Sequence, residues 1–382
     1  MIKFTILKKT IKDNFTTTIS CRKFDFFVLM CFHALLIKKM ERRMKIKNII
    51  LSALVVFGFA SFSSVASAGC GKLVIAEQNW ASAELMANVD KIILEKGYGC
   101  EVELIPGATM PTFTSMDEKG EPDMNPEQWA NAVYTPLKKA VSEKRLIISN
   151  KAPITGLGEG WWITPGTVKK YPQIKGMTAM EILEHPEWFP YKEDPSKGAF
   201  VGCPAGWGCQ IANANLFRAF EMEKKGWVLI DPGSAAGLDG TISKAADSGS
   251  PWFGYYWNPT SMVGKYDLQA VDFGVPYAGA DNWNNCIMLP DEQCADPKPS
   301  AWTKSEVNSL ISANFAKTGG NDAITYVEKR TYPGPVMNGM LVYMADNQAK
   351  GSDAAVEFLK KHEDLWTQWV TSGAAKKIKA GL

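Results

Sequence analysis

The sequence is poor in histidine and lacks the short motifs of the common enzyme families. Only three of its 382 residues are histidine. Two of them, His185 and His362, lie in charged, helix-like stretches that are typical of a protein surface. No G-x-S-x-G, P-loop or G-x-G-x-x-G motif stands between a predicted strand and a predicted helix. We therefore expect no enzymatic activity, no catalytic residue and no cofactor.

Long hydrophobic runs are also missing. A membrane-spanning helix needs roughly 18 apolar residues or more, and the two apolar runs near the N-terminus, 26–37 and 49–60, are shorter. The second run follows lysines and precedes the small-residue triplet 66–68, which is the pattern of a secretory signal with an A-x-A cleavage site. We interpret 44–68 as a signal peptide and 1–43 as an upstream extension that results from a translation start placed too early.

An excess of positive charge is absent once these segments are removed. The whole chain has 42 Lys and Arg against 40 Asp and Glu. Residues 1–68 hold 12 of the bases and three of the acids, which leaves 30 against 37 and a net charge of −7. Nucleic-acid binding depends on clustered cations, so we expect no nucleic-acid partner. The signal peptide places the mature protein in the periplasm.

Six cysteines follow the signal peptide, and an even number in an oxidising compartment predicts disulfide bonds. Close spacing suggests two pairs and leaves a third, which gives Cys203–Cys209, Cys286–Cys294 and Cys70–Cys100. A metal site is the alternative, but no histidine lies nearby and the spacings differ from C-x2-C. A lipid anchor at Cys70 is a further alternative, although Ser67 stands where a lipoprotein signal has an aliphatic residue.

The remaining 314 residues, 69–382, are enough for two lobes of ordinary domain size. They open with a strand at 72–77, an amphipathic helix at 81–97 that Gly97 ends, and an alternating strand at 100–105. This β-α-β order predicts an α/β fold with largely parallel sheets. Later segments repeat the pattern, with strands at 145–149, 227–233 and 251–257 and helices at 210–226 and 352–373.

All thirteen tryptophans lie at or after Trp80, and Trp207 has the most unusual surroundings. It stands between Gly206 and Gly208, inside the loop that the predicted Cys203–Cys209 bond closes. A loop so constrained holds its indole rigidly just before a helix. The indole face attracts cations, and the N–H groups at the start of the helix attract anions. The loop therefore predicts a site for a zwitterion with a methylated cationic head and a short acidic tail.

Three stretches, GCPAGWGCQ at 202–210, PEQWAN at 126–131 and PWFGYYWNP at 251–259, together resemble the glycine betaine-binding proteins of ABC transporters. The resemblance implies a two-lobed periplasmic binding protein of type II, in which each lobe is a mainly parallel sheet flanked by helices and the ligand lies between the lobes. It implies an aromatic cage and backbone donors for the ligand carboxylate, formed by Trp129, Trp207, Gly208, Cys209 and Trp257.

The same resemblance implies where the chain passes between the lobes and what it works with. We expect crossings near 155 and 270, so that 69–155 and 270–382 form lobe I and 156–269 forms lobe II. The partners would be a small methylated osmolyte and the membrane permease of an ABC importer, and we expect a monomer.

Other features resemble the branch of this family that binds trimethylamine N-oxide. They are the NWAS stretch around Trp80, the pair Trp161–Trp162 and the additional cysteines. Trp80 and Trp161 are therefore further candidates for the cage, and Glu127 is a candidate for sensing a cation or hydrogen-bonding a protonated head. Glycine betaine is the first candidate ligand, with trimethylamine N-oxide, choline and dimethylsulfoniopropionate as alternatives. A sugar ligand is disfavoured because the aromatic stretches hold few Asp, Asn or Arg side chains for hydroxyl groups.

Overall fold

A computed structural model describes residues 70–382. The predicted upstream extension at 1–43 and signal peptide at 44–68 lie outside the described residues. Within 70–382, no helix combines the length and the apolar character that crossing a membrane requires.

The first sheet has five strands in the order β2-β1-β3-β10-β4. Strand β1 is parallel to β2 and β3, whereas β10 is antiparallel to both β3 and β4. Four strands thus share one direction and β10 opposes them. The strands of this sheet are β1 (Lys72–Gln78), β2 (Glu101–Gly107), β3 (Met124–Trp129), β4 (Leu146–Asn150) and β10 (Val307–Ser312).

The second sheet repeats this arrangement in the order β7-β6-β8-β5-β9. Strand β6 is parallel to β7 and β8, and β5 is antiparallel to β8 and β9. The predicted two-lobed α/β fold with mainly parallel sheets is confirmed, with one reversed strand in each sheet. These strands are β5 (Gly158–Ile163), β6 (Gly198–Val201), β7 (Trp227–Ile230), β8 (Phe253–Asn258) and β9 (Gln269–Ala270).

Helices flank both sheets, and we refer to each sheet with its flanking helices as a lobe. The crossings near 155 and 270 stay predictions. In chain order the helices are α1 (Ala81–Ile92), α2 (Thr109–Lys119), α3 (Tyr134–Ser142), α4 (Pro165–Lys170), α5 (Ala179–Ile182), α6 (Gly208–Ala219), α7 (Ala235–Ser248), α8 (Ser261–Tyr266), α9 (Ala280–Asn282), α10 (Phe315–Thr318), α11 (Asn321–Lys329), α12 (Gly334–Asn347), α13 (Gly351–Lys361), α14 (Glu363–Trp366) and α15 (Ser372–Gly381).

Three helices differ from the sequence prediction: the one predicted at 210–226 spans only Gly208–Ala219, and the first and last predicted helices differ as well. The first is α-helical only over Ala81–Ile92 and continues as a π-helical turn over Ile93–Tyr98. It ends at Gly99, which has a left-handed φ of 73°, and not at Gly97.

The predicted closing helix at 352–373 is wrong as one element, because it is divided at His362, where φ is −117° and ψ is 41°. The break lets the chain turn back, so that the indole of Trp366 donates to the carbonyl of Leu359 at 2.7 Å. Trp366 and Trp369 are thereby buried in the core.

All six cysteines of the described chain form disulfide bonds. The pairs are Cys70–Cys100, Cys203–Cys209 and Cys286–Cys294, which are the pairs that the sequence suggests. The first joins the start of β1 to the start of β2, and the second closes the loop that leads into α6.

Candidate ligand-binding site

Four tryptophans meet in one pocket between the two sheets: Trp80, Trp129, Trp207 and Trp257. We call this site the four-tryptophan pocket. Trp80 directly precedes α1 and Trp129 ends β3, so both belong to the lobe of the first sheet. Trp207 directly precedes α6 and Trp257 lies near the end of β8, so both belong to the second lobe. Each lobe supplies half of the aromatic wall.

Trp207 is the central wall of this pocket. Its ring lies 5.4 Å from that of Trp80 at an interplanar angle of 76°, and 5.1 Å from that of Trp257 at 84°. Both contacts are edge-to-face, the arrangement that the charge distribution of aromatic rings favours. The rings of Trp80 and Trp257 are therefore both nearly perpendicular to the ring of Trp207. All four indoles are buried in the closed structure.

The loop Cys203–Cys209 sets the orientation of Trp207. Gly206 has a left-handed φ of 85°, which a residue with a side chain rarely adopts. Its carbonyl accepts a hydrogen bond of 3.1 Å from the N–H of Met110 in the other lobe. Trp207 then returns to extended backbone and α6 begins at Gly208. The glycine turn and the disulfide thus direct the indole across the cleft.

Gly208 and Cys209 also line the pocket, with their backbone at the first turn of α6. Among the described residues, neither N–H donates to a protein acceptor. The first N–H groups of a helix have no partner inside the helix, and they carry the positive end of its dipole. This wall of the pocket can therefore receive a carboxylate or another anion.

A carboxyl group also lines this pocket. Glu159 of β5 lines the pocket with Tyr255 of β8. The hydroxyl of Tyr255 donates to Glu159 Oε1 at 2.8 Å, and Asn131 Nδ2 donates to Oε2 at 2.8 Å. Burial raises the pKa of the Glu159 carboxyl, against hydrogen bonds from Tyr255 and Asn131 that lower it. The pocket thus holds an acidic group, four indoles and the backbone donors of α6.

Hydrogen bonds between the lobes hold this cleft closed. Trp207 Nε1 donates to Asn79 Oδ1 at 2.8 Å, and the bond from Asn131 to Glu159 also crosses the cleft. The cavity that remains measures about 20 Å³, close to the space that one water molecule needs. A trimethylammonium head is larger than water, so its entry requires the walls to separate.

Replacing Asn79 with alanine should weaken ligand binding about fivefold, because closure would then leave Trp207 Nε1 without its acceptor. A neutral hydrogen bond contributes about 1 kcal/mol, which corresponds to that change in Kd. Isothermal titration calorimetry measures it. The control is Asn347→Ala, which removes a hydrogen bond to the Tyr343 carbonyl on the exposed side of α12. Equal affinity of both variants would contradict a role of Asn79 in closure.

Glu127 lies behind the four-tryptophan pocket and does not line it. Its side chain is fully buried, and one of its oxygens accepts hydrogen bonds from the indoles of Trp80 and Trp129. The structure thus places it against two walls of the pocket.

Trp161 lies outside the pocket. Its ring is fully buried among phenylalanines, 4.8 Å from Phe200 and 4.7 Å from Phe273, and its Nε1 donates to Asn213 Oδ1. Strand alternation explains this position, because Trp161 shares a face of β5 with Glu159 but lies two residues farther into the sheet. Of the residues 158–162, GEGWW, the one that reaches the pocket is therefore Glu159. Trp162 is on the other face of the strand, and its indole donates to the Tyr256 carbonyl.

Sequence reasoning missed several residues of this site: Asn79, Thr109, Asn131, Glu159 and Tyr255. The alternation of β5 and β8 could have indicated two of them, since Glu159 and Tyr255 lie two residues from tryptophans already singled out. Asn79 and Asn131 act across the cleft, and no local pattern shows which residues face each other there.

Comparison with known families shows which kind of domain holds this pocket. Residues 71–361 match the family described as "OpuAC: Substrate binding domain of ABC-type glycine betaine transport system". This chain belongs to that family. The family match covers both sheets and every residue of the pocket, so the four-tryptophan pocket lies within a substrate-binding domain of a transport system.

Solved structures show the same fold at low sequence identity. A glycine betaine/L-proline-binding protein from Borrelia burgdorferi aligns with a TM-score of 0.62 at 16% identity, covering 80% of this chain and 99% of its own. A choline-binding protein of an ABC transporter in complex with choline aligns with 0.61 at 15% identity, covering 82% and 98%. Lactococcal OpuAC with glycine betaine, in a closed conformation, aligns with 0.58 at 16% identity, covering 79% and 100%.

Proposed function

We propose that this protein captures glycine betaine, or a similarly small methylated zwitterion, between its lobes and delivers it to the permease of an ABC importer. The observation that carries the proposal is the meeting of four tryptophans, two from each lobe, beside the free N–H groups of Gly208 and Cys209. The protein would act in the periplasm as a monomer, opening about a hinge to admit and release its ligand.

The aromatic walls suit a head group that cannot donate hydrogen bonds. Indole faces attract a cation, and the attraction grows when water is excluded. A trimethylammonium group leaves no donor unpaired when indoles replace its water. Ammonium or a primary amine would lose its hydrogen bonds in the same place, and that loss disfavours it. The pocket thereby selects methylated cations.

The start of α6 suits the acidic tail. Helix α6 has twelve residues, and its first two, Gly208 and Cys209, line the same pocket as Glu159. A carboxylate placed there gains charge-assisted hydrogen bonds and the favourable end of the helix dipole. The cationic head would then lie toward Glu159 and the indoles, so that both charges of a zwitterion are matched.

Trimethylamine N-oxide is the second candidate, and Glu159 is the observation that favours it. The carboxyl stands in the wall of a cavity of about 20 Å³, and in its protonated form it could donate to the N-oxide oxygen. Under this alternative the N–H groups of Gly208 and Cys209 would contact no ligand carboxylate.

A calorimetric panel distinguishes these ligands. A hydrogen bond to a charged group contributes about 1.5–3 kcal/mol, so glycine betaine should bind about tenfold more tightly than choline, which has the same head without the acid. Dimethylsulfoniopropionate, with a carboxylate and a sulfonium head, should also outbind choline. Choline equal to betaine would reject the carboxylate site, and trimethylamine N-oxide ahead of both would select the second candidate. Binding of a disaccharide instead would reject the proposed function.

A further inference from the structure

One carboxylate oxygen stands behind two walls of the four-tryptophan pocket. Glu127 Oε1 accepts a hydrogen bond of 2.8 Å from the indole N–H of Trp80 and one of 3.0 Å from that of Trp129. The hydroxyl of Ser82 donates to the same oxygen at 3.0 Å. Among the described residues, no protein donor reaches the second oxygen, Oε2. All three hydrogen bonds therefore converge on a single atom.

This convergence suits an ionised carboxylate. A carboxylate only accepts hydrogen bonds, and its charge strengthens each of them. The glutamine that would have the same shape carries an amide oxygen with two lone pairs and no charge. Ring orientation follows from the contact, because an indole whose N–H is bonded at a fixed point cannot rotate freely about its side-chain bonds. A charged acceptor also polarises the donor, which makes the indole more attractive to a cation.

We infer that Glu127 is the positioning residue of the four-tryptophan pocket, and that its negative charge fixes the indoles of Trp80 and Trp129 against the cationic head of the ligand. The inference rests on the proposed function for the ligand, but the contact itself exists without one. Both indoles belong to the first lobe, so this half of the pocket stays formed when the lobes separate.

The charged surroundings of Glu127 are simple. On the neighbouring strand β1 the nearest side chain is the neutral Gln78, which donates to the Glu127 carbonyl at 2.8 Å. Beyond β10 lies the fully buried Arg330, whose Nε is 2.7 Å from Asp90 Oδ1 of α1. Burial raises the pKa of Glu127 to about 7, against the three hydrogen bonds and the charge of Arg330, which lower it. Among residues 70–382, the only acidic group that lines the pocket itself is Glu159, from the other lobe.

A dependence of binding on pH follows. Below about pH 7 the carboxyl of Glu127 is protonated and accepts the indole hydrogen bonds more weakly. A bound cation favours the ionised form, so the ligand lowers the pKa of Glu127 and binding releases a proton. Affinity for a permanent cation should therefore increase as the pH rises through 7.

Nuclear magnetic resonance of protein labelled with ¹⁵N in its indoles tests the contact without any ligand. Two indole N–H signals, assigned with Trp80→Phe and Trp129→Phe, should shift together with a common midpoint near pH 7. In Glu127→Gln both should move upfield and no longer titrate. Two signals that do not titrate in the wild type, or that titrate equally in Glu127→Gln, would overturn the inference.

Calorimetry with choline and glycine betaine then measures the effect on binding. Between about pH 5.5 and 8.5 neither ligand changes charge, and wild-type affinity should rise about tenfold, the effect of one pKa unit. Glu127→Gln should bind about tenfold more weakly than the wild type at the upper end and show a smaller rise, the remainder of which comes from Glu159 in the pocket wall. Unchanged affinity, or weaker binding with the same rise, would contradict the positioning role of the charge.

The matched control is Asp239→Asn. Asp239 is a partly buried carboxylate of α7 that accepts a 2.6 Å hydrogen bond from Tyr256, outside the pocket, and burial raises its pKa as well. This variant should keep both the wild-type affinity and its rise with pH. If the wild type binds neither ligand, only the proposed function fails, because the indole titration still tests Glu127 independently.

Discussion

Trp207→Ala should weaken ligand binding by about 2 kcal/mol or more, the range for a cation against indole in a site without water. This loss is about thirtyfold in Kd. Trp207 should give the largest effect of the four tryptophans because it contacts both Trp80 and Trp257 edge-to-face and also bonds to Asn79. Its removal takes away one wall and leaves two others without support.

Trp129→Ala and Trp257→Ala should each lose about 2 kcal/mol as well, measured by calorimetry with glycine betaine. The control is Trp188→Ala, since Trp188 also packs against aromatic rings, 5.1 Å from Tyr171 and 3.9 Å from His185, but is partly exposed and lies outside the pocket. Its affinity should equal that of the wild type. Circular dichroism should show a folded protein in every case. Wild-type affinity in any two of the three pocket variants would place the ligand elsewhere.

Gly208→Ala should nearly abolish binding while the ligand-free protein stays folded. A Cβ at position 208 would stand 2.3 Å from the Cβ of Ala132, which belongs to the other lobe. Such a contact is far inside van der Waals distance, so the lobes could not reach the closed arrangement. We expect a loss of affinity of about a hundredfold, since overpacking of this kind typically costs about 1–3 kcal/mol and the N–H groups of α6 would also move out of reach. We expect the two residues to separate when the lobes open, so that the melting temperature without ligand changes little.

A second substitution makes this prediction specific. Ala132→Gly removes the opposing Cβ, after which the nearest atom of residue 132 to the new methyl group is its Cα at 3.4 Å, an ordinary contact. The double variant Ala132→Gly/Gly208→Ala should regain most of the wild-type affinity. Failure of this rescue would mean that the methyl group at 208 acts on the helix terminus itself and not on closure.

The opening elements could be predicted from hydrophobic periodicity. The strand at 72–77, the helix from 81 and the strand at 100–105 correspond closely to β1, α1 and β2. The reversed direction of strands β5 and β10 could not be predicted. Strand direction depends on where the chain re-enters a sheet, and sequence spacing does not show this. The division of the closing helix at His362 could not be predicted either, because the burial of Trp366 and Trp369 against distant residues overrides the local helical pattern.

The site was predictable where one short stretch contains its own constraint. The glycines and cysteines of the loop Cys203–Cys209 predict a rigidly held indole, and the structure places Trp207 in the pocket. Trp161 has no such constraint, and a tryptophan in a strand can face the core or the cleft. Glu159 reaches the pocket and Trp161 does not because they occupy different positions along β5, and only the folded structure shows which part of the strand borders the pocket.

The sequence by itself determined the α/β class, the cysteine pairs and the loop that carries Trp207, because each depends on residues close together in the chain or on simple counting. Only the tertiary structure decided that Trp80 and Trp129 share one carboxylate, that Asn79 faces Trp207 and that Gly208 fits against Ala132. Trp80 lies 47 positions from Glu127 in the chain, and Trp207 lies 128 positions from Asn79. The distances in these contacts are set by how two sheets pack and close, and packing is a property of the whole folded chain.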